Sequence, residues 1–213
     1  MLFVGTAAGD DPSYALAFYA TFHADRCVPR HLPLFARDVD DLAAFVRGFD
    51  VIHVGGGNTA NLLDVWRRHG LDDVLAELWS DPASDVVLTG GSAGAMCWFE
   101  GGVTDSYGPT LRALPEGLGF VPGAFCAHAD ADPRRLPALR RAIRSGELGE
   151  VGYAVGESRA LHFRGHRGRA ELVGAIGSGE DGFALRVERD GDRLVETALP
   201  RGPQALARGA RGR

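Results

Sequence analysis

The chain has 213 residues, 45% of them hydrophobic, and a formal net charge of -5. That length suffices to bury the core of one domain. An acidic balance without a clustered basic stripe excludes nucleic acid as the expected partner. The three cysteines, Cys27, Cys97 and Cys126, are odd in number and widely spaced. They fit free thiols in a reducing compartment and offer no CxxC pair for zinc. Apolar runs fall far short of a membrane span, and the N-terminal segment lacks a charged region followed by an apolar one. A cytoplasmic protein without a membrane partner is therefore expected.

Short apolar runs alternate with segments of helical period, which predicts an α/β fold with a largely parallel sheet flanked by helices. Leu2 to Val4 reads as the first strand. Asp11-Pro12 then opens a helix carrying Tyr14, Ala17, Phe18, Thr21 and Phe22 on one face. Leu32 to Phe35 reads as a strand and Val39 to Phe49 as an amphipathic helix. Val51 to Val54 is a strand that ends in Gly55-Gly56-Gly57, and Thr59 is placed to cap the next helix, with Gly70 as its stop. A second helix carries Val74, Leu75 and Leu78. Val86 to Thr89 is the strand entering Gly90-Gly91-Ser92-Ala93-Gly94. From Gly101 to Gly123 the density of glycine predicts irregular chain, followed by a strand over Ala124 to Ala127. Pro133 to Ser145 has helical spacing and Gly146 to end it. The remainder is strand-like and more antiparallel: Val151 to Val155, Ala160 to Phe163, Glu171 to Ile176, Phe183 to Val187 and, across the hairpin signal Asp190-Gly191, Leu194 to Ala198. One domain over 1–199 is expected. Residues 200–213, with four arginines and no acidic residue, are expected to be a disordered basic tail rather than a binding arm.

A serine in G-x-S-x-G directly after an apolar strand is the pattern of a nucleophile elbow. Glycines two residues either side let strand and helix approach closely while the Ser92 hydroxyl projects outward. The Ala93 N–H at the helix start is then placed to meet a tetrahedral oxyanion. The same five residues occur in purely structural βα turns, so the surroundings matter. Gly55-Gly56-Gly57-Asn58 ends the preceding strand and can bring a second N–H beside the first. A phosphate-binding reading is weaker: no P-loop lysine follows these glycines and no GxGxxG follows the first strand.

Of the seven histidines, His23 and His69 fall on expected helices, His31 on a loop and His53 within a strand. His162 and His166 form an H-x3-H pair across a strand and turn, and no third ligand joins them, so no metal site is expected. His128 follows a strand at its carboxyl end, the edge where ligand sites gather in open parallel sheets, which makes it the best general base. Glu157, beyond the strand Val151 to Val155, is favoured by position as the carboxylate that orients the imidazole. Asp105 and Glu100 stay open as alternatives.

Val54-Gly55-Gly56-Gly57-Asn58-Thr59, Gly91-Ser92-Ala93-Gly94-Ala95, Cys126-Ala127-His128 and Gly156-Glu157-Ser158-Arg159-Ala160-Leu161 occur in that order between about Phe3 and Leu161. In this combination the sequence resembles the family of serine peptidases that includes peptidase E and cyanophycinase. The resemblance implies a fold similar to class I glutamine amidotransferases, Ser92 as nucleophile, His128 as base and Glu157 as its partner. It also implies Gly57 and Ala93 as oxyanion donors, Asn58 as a substrate contact and Asp105 at an acidic position that matters in peptidase E. Arg134 is the counterpart considered for the arginine that recognises aspartate in peptidase E. Three features depart from the family: no glycine-rich strand precedes Leu2 to Val4, no proline precedes His128, and the loop from Asp130 to Arg135 is short. The first means either that the start is truncated or that the sheet lacks a strand; the second case would leave an edge open to a partner, so a homo-oligomer is one expectation. The expected activity is hydrolysis of a small peptide or isopeptide bond, with an acidic side chain as one option, through an acyl-enzyme and without a cofactor. An esterase on the same elbow and an inactive binding or scaffold protein are the alternatives.

Overall fold

A computed structural model describes residues 1–165, 170–177 and 182–199. The expected basic tail over 200–213 lies outside the described residues, as does His166. Strands β1 (Leu2–Val4), β2 (Arg30–Leu32), β3 (Val51–Val54) and β4 (Val87–Gly90) form a wholly parallel sheet in the order β2-β1-β3-β4. β1 needs no alternation, because both its faces are buried, whereas in β3 Ile52 and Val54 are buried and Val51 and His53 only half-buried. Leu2, Val4, Ile52 and Val54 are almost fully buried.

The helices between these strands carry their own punctuation. In α1 (Pro12–Thr21), Asp11 caps the first turn by accepting the Ser13 N–H, and Pro12 occupies a position where no helical donor is lost. Of the face expected to pack, only Phe18 is buried, stacked on Phe3 at 5.1 Å between centroids. β2 stops earlier than the expected Leu32 to Phe35, because the Leu34 and Phe35 N–H groups donate to the Asp10 carboxylate instead of continuing a ladder. α2 (Leu42–Arg47) is shorter than expected, starting where Asp41 accepts the Ala44 N–H and stopping at Gly48. Asn58, rather than Thr59, caps α3 (Thr59–His69); its side chain accepts the Asn61 N–H. Gly70, at φ 72°, closes α3 and leads directly into α4 (Leu71–Ser80). Trp66 lies at the centre of this packing, fully buried, with its indole N–H given to Thr6 at 3.1 Å.

A second, mixed sheet has the order β12-β11-β8-β7-β5-β6. Its members β5 (Phe99–Thr104), β7 (Val121–Cys126) and β8 (Val151–Val155) are parallel, whereas β6 (Arg112–Leu114), β11 (Ala184–Asp190) and β12 (Arg193–Ala198) run antiparallel to their neighbours. A hairpin of β9 (Arg159–Arg164) and β10 (Glu171–Gly177) stands beside it. The stretch from Gly101 to Gly123, expected to be irregular, is so over 105–111 and 115–120, but its remaining residues belong to β5, β6 and β7. Its glycines mark close approach of main chains: a Cβ on Gly101 would lie 2.3 Å from the Leu114 carbonyl oxygen, and one on Gly102 2.3 Å from that of Phe125. α4 precedes β4, α5 (Ala93–Met96) follows it, and α6 (Arg135–Ser145) covers the outer face of the mixed sheet. There Leu139 and Ile143 pack with Ala154 and Val187 in a core of their own. No helix among the described residues is long and apolar enough to cross a membrane.

Candidate active site

Ser92 stands on the turn between β4 and α5, and the turn is possible only because its neighbours lack side chains. A Cβ on Gly90 would fall 2.1 Å from the Gly94 carbonyl oxygen, and one on Gly94 would fall 2.2 Å from that of Val54. Strand and helix are therefore in main-chain contact, and the residue at the apex adopts φ 53°, ψ -114°. A non-glycine residue at positive φ is costly and is commonest where geometry serves chemistry. His128, on the turn after β7, is also at positive φ, 57°. From there its Nε2 lies 2.7 Å from Ser92 Oγ and its Nδ1 lies 2.5 Å from Glu157 Oε1. The first sheet contributes the hydroxyl; the second contributes the imidazole after β7 and the carboxylate after β8. The imidazole is about one-third exposed and the Glu157 carboxylate more than half exposed, so the pair faces solvent.

The Gly55-Gly56-Gly57 turn approaches Ser92 from β3. A Cβ on Gly56 would sit 3.4 Å from Ser92 Cβ, and one on Gly57 would meet the Ala7 carbonyl oxygen at 2.2 Å. Gly57 is at φ 142°, a conformation that favours glycine. The Gly56–Gly57 peptide thus lies beside the hydroxyl. Neither the Gly57 nor the Ala93 N–H donates to another main-chain carbonyl among the described residues. An oxyanion requires two donors of this kind.

The remaining expected site residues are held elsewhere. Asp105 does not carry the imidazole: its carboxylate accepts from Arg135 Nη2 at 3.1 Å, and the Nδ1 contact belongs to Glu157. Glu100 accepts the Gly123 N–H at 2.7 Å and so serves the β5–β7 junction. Arg134 is two-thirds exposed and grips Asp132 through Nε and Nη2, holding that carboxyl down at about 2. Asn58 divides its side chain between the cap of α3 and the Ser106 carbonyl, to which Nδ2 donates at 2.9 Å. Among these, none lines the cleft in which Ser92 lies. Ser106, which sequence reasoning passed over, closes the same junction: its Oγ accepts the Thr59 and Ala60 N–H groups at 3.0 and 3.3 Å.

The cleft has a volume of about 940 Å³ and runs from Ser92, His128 and Glu157 toward β9. Trp98, Phe120 and Phe163 supply apolar wall, while Arg159, His162 and Arg164 bring polar groups from β9. Arg159 was visible in the sequence as part of Gly156-Glu157-Ser158-Arg159, but only its position on the hairpin brings it to the cleft. His53, half-buried in β3 against Phe3, has its pKa lowered by burial and does not line the cleft. Cys97 is fully buried, and Cys126, also buried, has its thiol pushed up to about 12 by desolvation. Neither is a competing nucleophile.

The chain is similar to known proteins over most of its length. It is 44% identical over 198 residues to an uncharacterized peptidase, YgaJ, of Bacillus subtilis (strain 168), an alignment covering 93% of this chain and 82% of that protein. In fold it is similar to a peptidase from an acI-B1 Actinobacterium, with TM-score 0.60 and 19% identity over 92% of this chain and 80% of the other. A protein of Listeria monocytogenes EGD-e assigned as a peptidase E gives TM-score 0.51 and 16% identity, covering 93% and 85% of the two chains. Residues 1–170 match peptidase family S51, and the chain belongs to that family.

Proposed function

We propose that the protein is a serine-type peptidase that cleaves a small peptide or isopeptide amide through an acyl-enzyme. The observation that carries this reading is the continuous chain Ser92 Oγ, His128 Nε2, His128 Nδ1, Glu157 Oε1, with links of 2.7 and 2.5 Å. His128 takes the Ser92 proton as Oγ attacks the carbonyl carbon, and Glu157 stabilises the imidazolium that forms. The Gly57 and Ala93 N–H groups receive the oxyanion. Collapse of the tetrahedral species breaks the C–N bond, and His128 returns its proton to the departing amine. Water then enters by the reverse sequence and releases the acid, regenerating Ser92. This scheme uses no cofactor. Arg159 and Arg164 on the cleft wall favour a substrate with an acidic side chain or a free carboxylate.

The test is labelling by a fluorophosphonate, followed by a panel of Asp-X, Glu-X and β-aspartyl dipeptides, each with a Ser92→Ala control. Labelling and dipeptide turnover that both vanish in the variant are expected. Labelling with turnover of esters alone identifies an esterase. Absence of both from the parent protein overturns the reading in favour of a binding protein.

A further inference from the structure

The weak point of the Ser92–His128–Glu157 chain is its last member. Glu157 is a long side chain, more than half exposed, on a turn separate from that of His128. A carboxylate so placed keeps its rotamer only if the main chain beneath it is fixed. Asp130, two residues beyond the base, supplies that restraint: its Oδ1 accepts the Glu157 N–H at 3.0 Å. The Gly156 Cα lies against the same carboxylate, where a Cβ would come within 2.1 Å of Oδ2. On its own side, the turn is wound tightly around the base. The Asp132 and Ala131 N–H groups donate to the His128 carbonyl at 3.0 and 3.2 Å, and the Ala129 N–H donates to Val155 at 3.0 Å.

We infer that Asp130 is a positioning residue: it fastens the turn carrying the carboxylate to the turn carrying the base, and so sets the distance from Glu157 Oε1 to His128 Nδ1. The inference rests on the serine peptidase reading and extends it by one residue. It gives a use to the Gly156-Glu157 pair, since only glycine leaves room for the Asp130 carboxylate. It also explains how an exposed glutamate keeps one geometry, because displacement of a catalytic group by about 1 Å can cost two orders of magnitude in rate.

Asp130→Ala is expected to lower kcat by about tenfold to a hundredfold with KM little changed. Asp130→Asn is expected to recover most of the loss, because the amide oxygen still accepts the Glu157 N–H. A nearby carboxylate favours the imidazolium, so the acid limb of the rate profile should move to lower pH in Asp130→Ala, in the direction produced by Glu157→Gln. Added to Glu157→Gln, Asp130→Ala should cost little more, since both act through one contact. Multiplicative losses in that double variant, or an unmoved acid limb in Asp130→Ala, would overturn the inference. Glu157 meets the ring directly, Asp130 and the Asp132–Arg134 pair are carried on the turn that follows His128, and Arg159 lines the same cleft. A titration of the His128 ring by NMR in the parent, Asp130→Ala and Asp130→Asn therefore needs no turnover to be read. A midpoint lowered in Asp130→Ala and largely restored in Asp130→Asn, which lacks the charge but keeps the acceptor, supports the inference even if the parent proves not to label; an unchanged midpoint, or equal lowering in both variants, overturns it.

Discussion

The two sheets of this molecule contribute to the candidate site in different ways. The parallel sheet β2-β1-β3-β4 supplies main-chain geometry: the sharp turn under Ser92 and the glycine turn after β3, both dictated by backbones that touch. The mixed sheet supplies functional side chains, His128 after β7 and Glu157 after β8, from turns that face solvent. The hydroxyl and its base thus come from separate sheets, and their 2.7 Å contact depends on how those sheets pack. The comparison teaches that damage to the first sheet should appear as loss of fold or of the oxyanion donors. Damage to the second should appear as loss of proton transfer in a folded protein.

The largest effect expected is at the junction itself. Ser92→Ala removes the group that both halves serve, and its loss in kcat should approach about six orders of magnitude, as removal of a nucleophile does in a known serine protease. Single-turnover hydrolysis measures it, and circular dichroism should show an intact fold. Next is Glu157→Gln in the mixed sheet. An amide cannot stabilise the imidazolium, so turnover should fall by about two to four orders of magnitude with little change in thermal stability. If Asp105→Asn fell further than Glu157→Gln, the division of labour drawn from the Arg135 contact would be broken. Asp105→Asn should instead cost on the order of 1 kcal/mol in denaturant unfolding, because Arg135 loses a charged partner, with a small effect on rate.

Gly57→Ala tests the other half. Its Cβ would overlap the Ala7 carbonyl, and the positive φ adds strain of about 1–3 kcal/mol, so the melting temperature and turnover should fall together. Unchanged stability would show that the glycine turn is not held against Ala7. The smallest effect sharpens the same contrast chemically. Cys97 at the end of α5 and Cys126 at the end of β7 are buried in separate cores, with their thiols pushed up by burial, whereas Cys27 is only half-buried. Alkylation at pH 8 under native conditions should therefore modify one thiol per chain by mass spectrometry, and all three only after unfolding.

The two halves also differed in how far they could be read in advance. In the first, Val51 to Val54 and the glycines after it behaved as expected, because a short run of β-branched residues stopped by glycine reads as a strand and its turn even with His53 inside it. That the side chains of Ser92, His128 and Glu157 meet was legible for a related reason: each follows a strand at its carboxyl end, the edge where a parallel sheet gathers its sites. The stretch from Gly101 to Gly123 is irregular over 105–111 and 115–120 as expected, but β6 and the ends of β5 and β7 inside it were missed, since glycine signals a turn and a tight strand crossing equally, and only the positions of Leu114 and Phe125 distinguish them. Asp105, Asn58 and Arg134 were drawn to the site by chain position and motif, but each found a nearer partner in Arg135, Ser106 and Asp132. Sequence spacing cannot reveal which charge a flexible side chain meets first. Ser106 and Asp130 escaped notice because their work is to accept main-chain N–H groups, a role that leaves no pattern in residue type.

The positive φ angles at Ser92 and His128 set the working parts of the site against the relaxation of the chain around them. Each such residue stores about 1–3 kcal/mol that the remaining packing must offset. Glycine at either position would release that strain, so on stability alone drift would favour replacing the proposed nucleophile and base. A lineage freed from selection for catalysis would therefore have a downhill path to a sturdier, inactive protein. In an active one, those two residues persist against the thermodynamic preference of their own backbone, and the compact cores around Trp66 and Leu139 supply the margin that lets them do so.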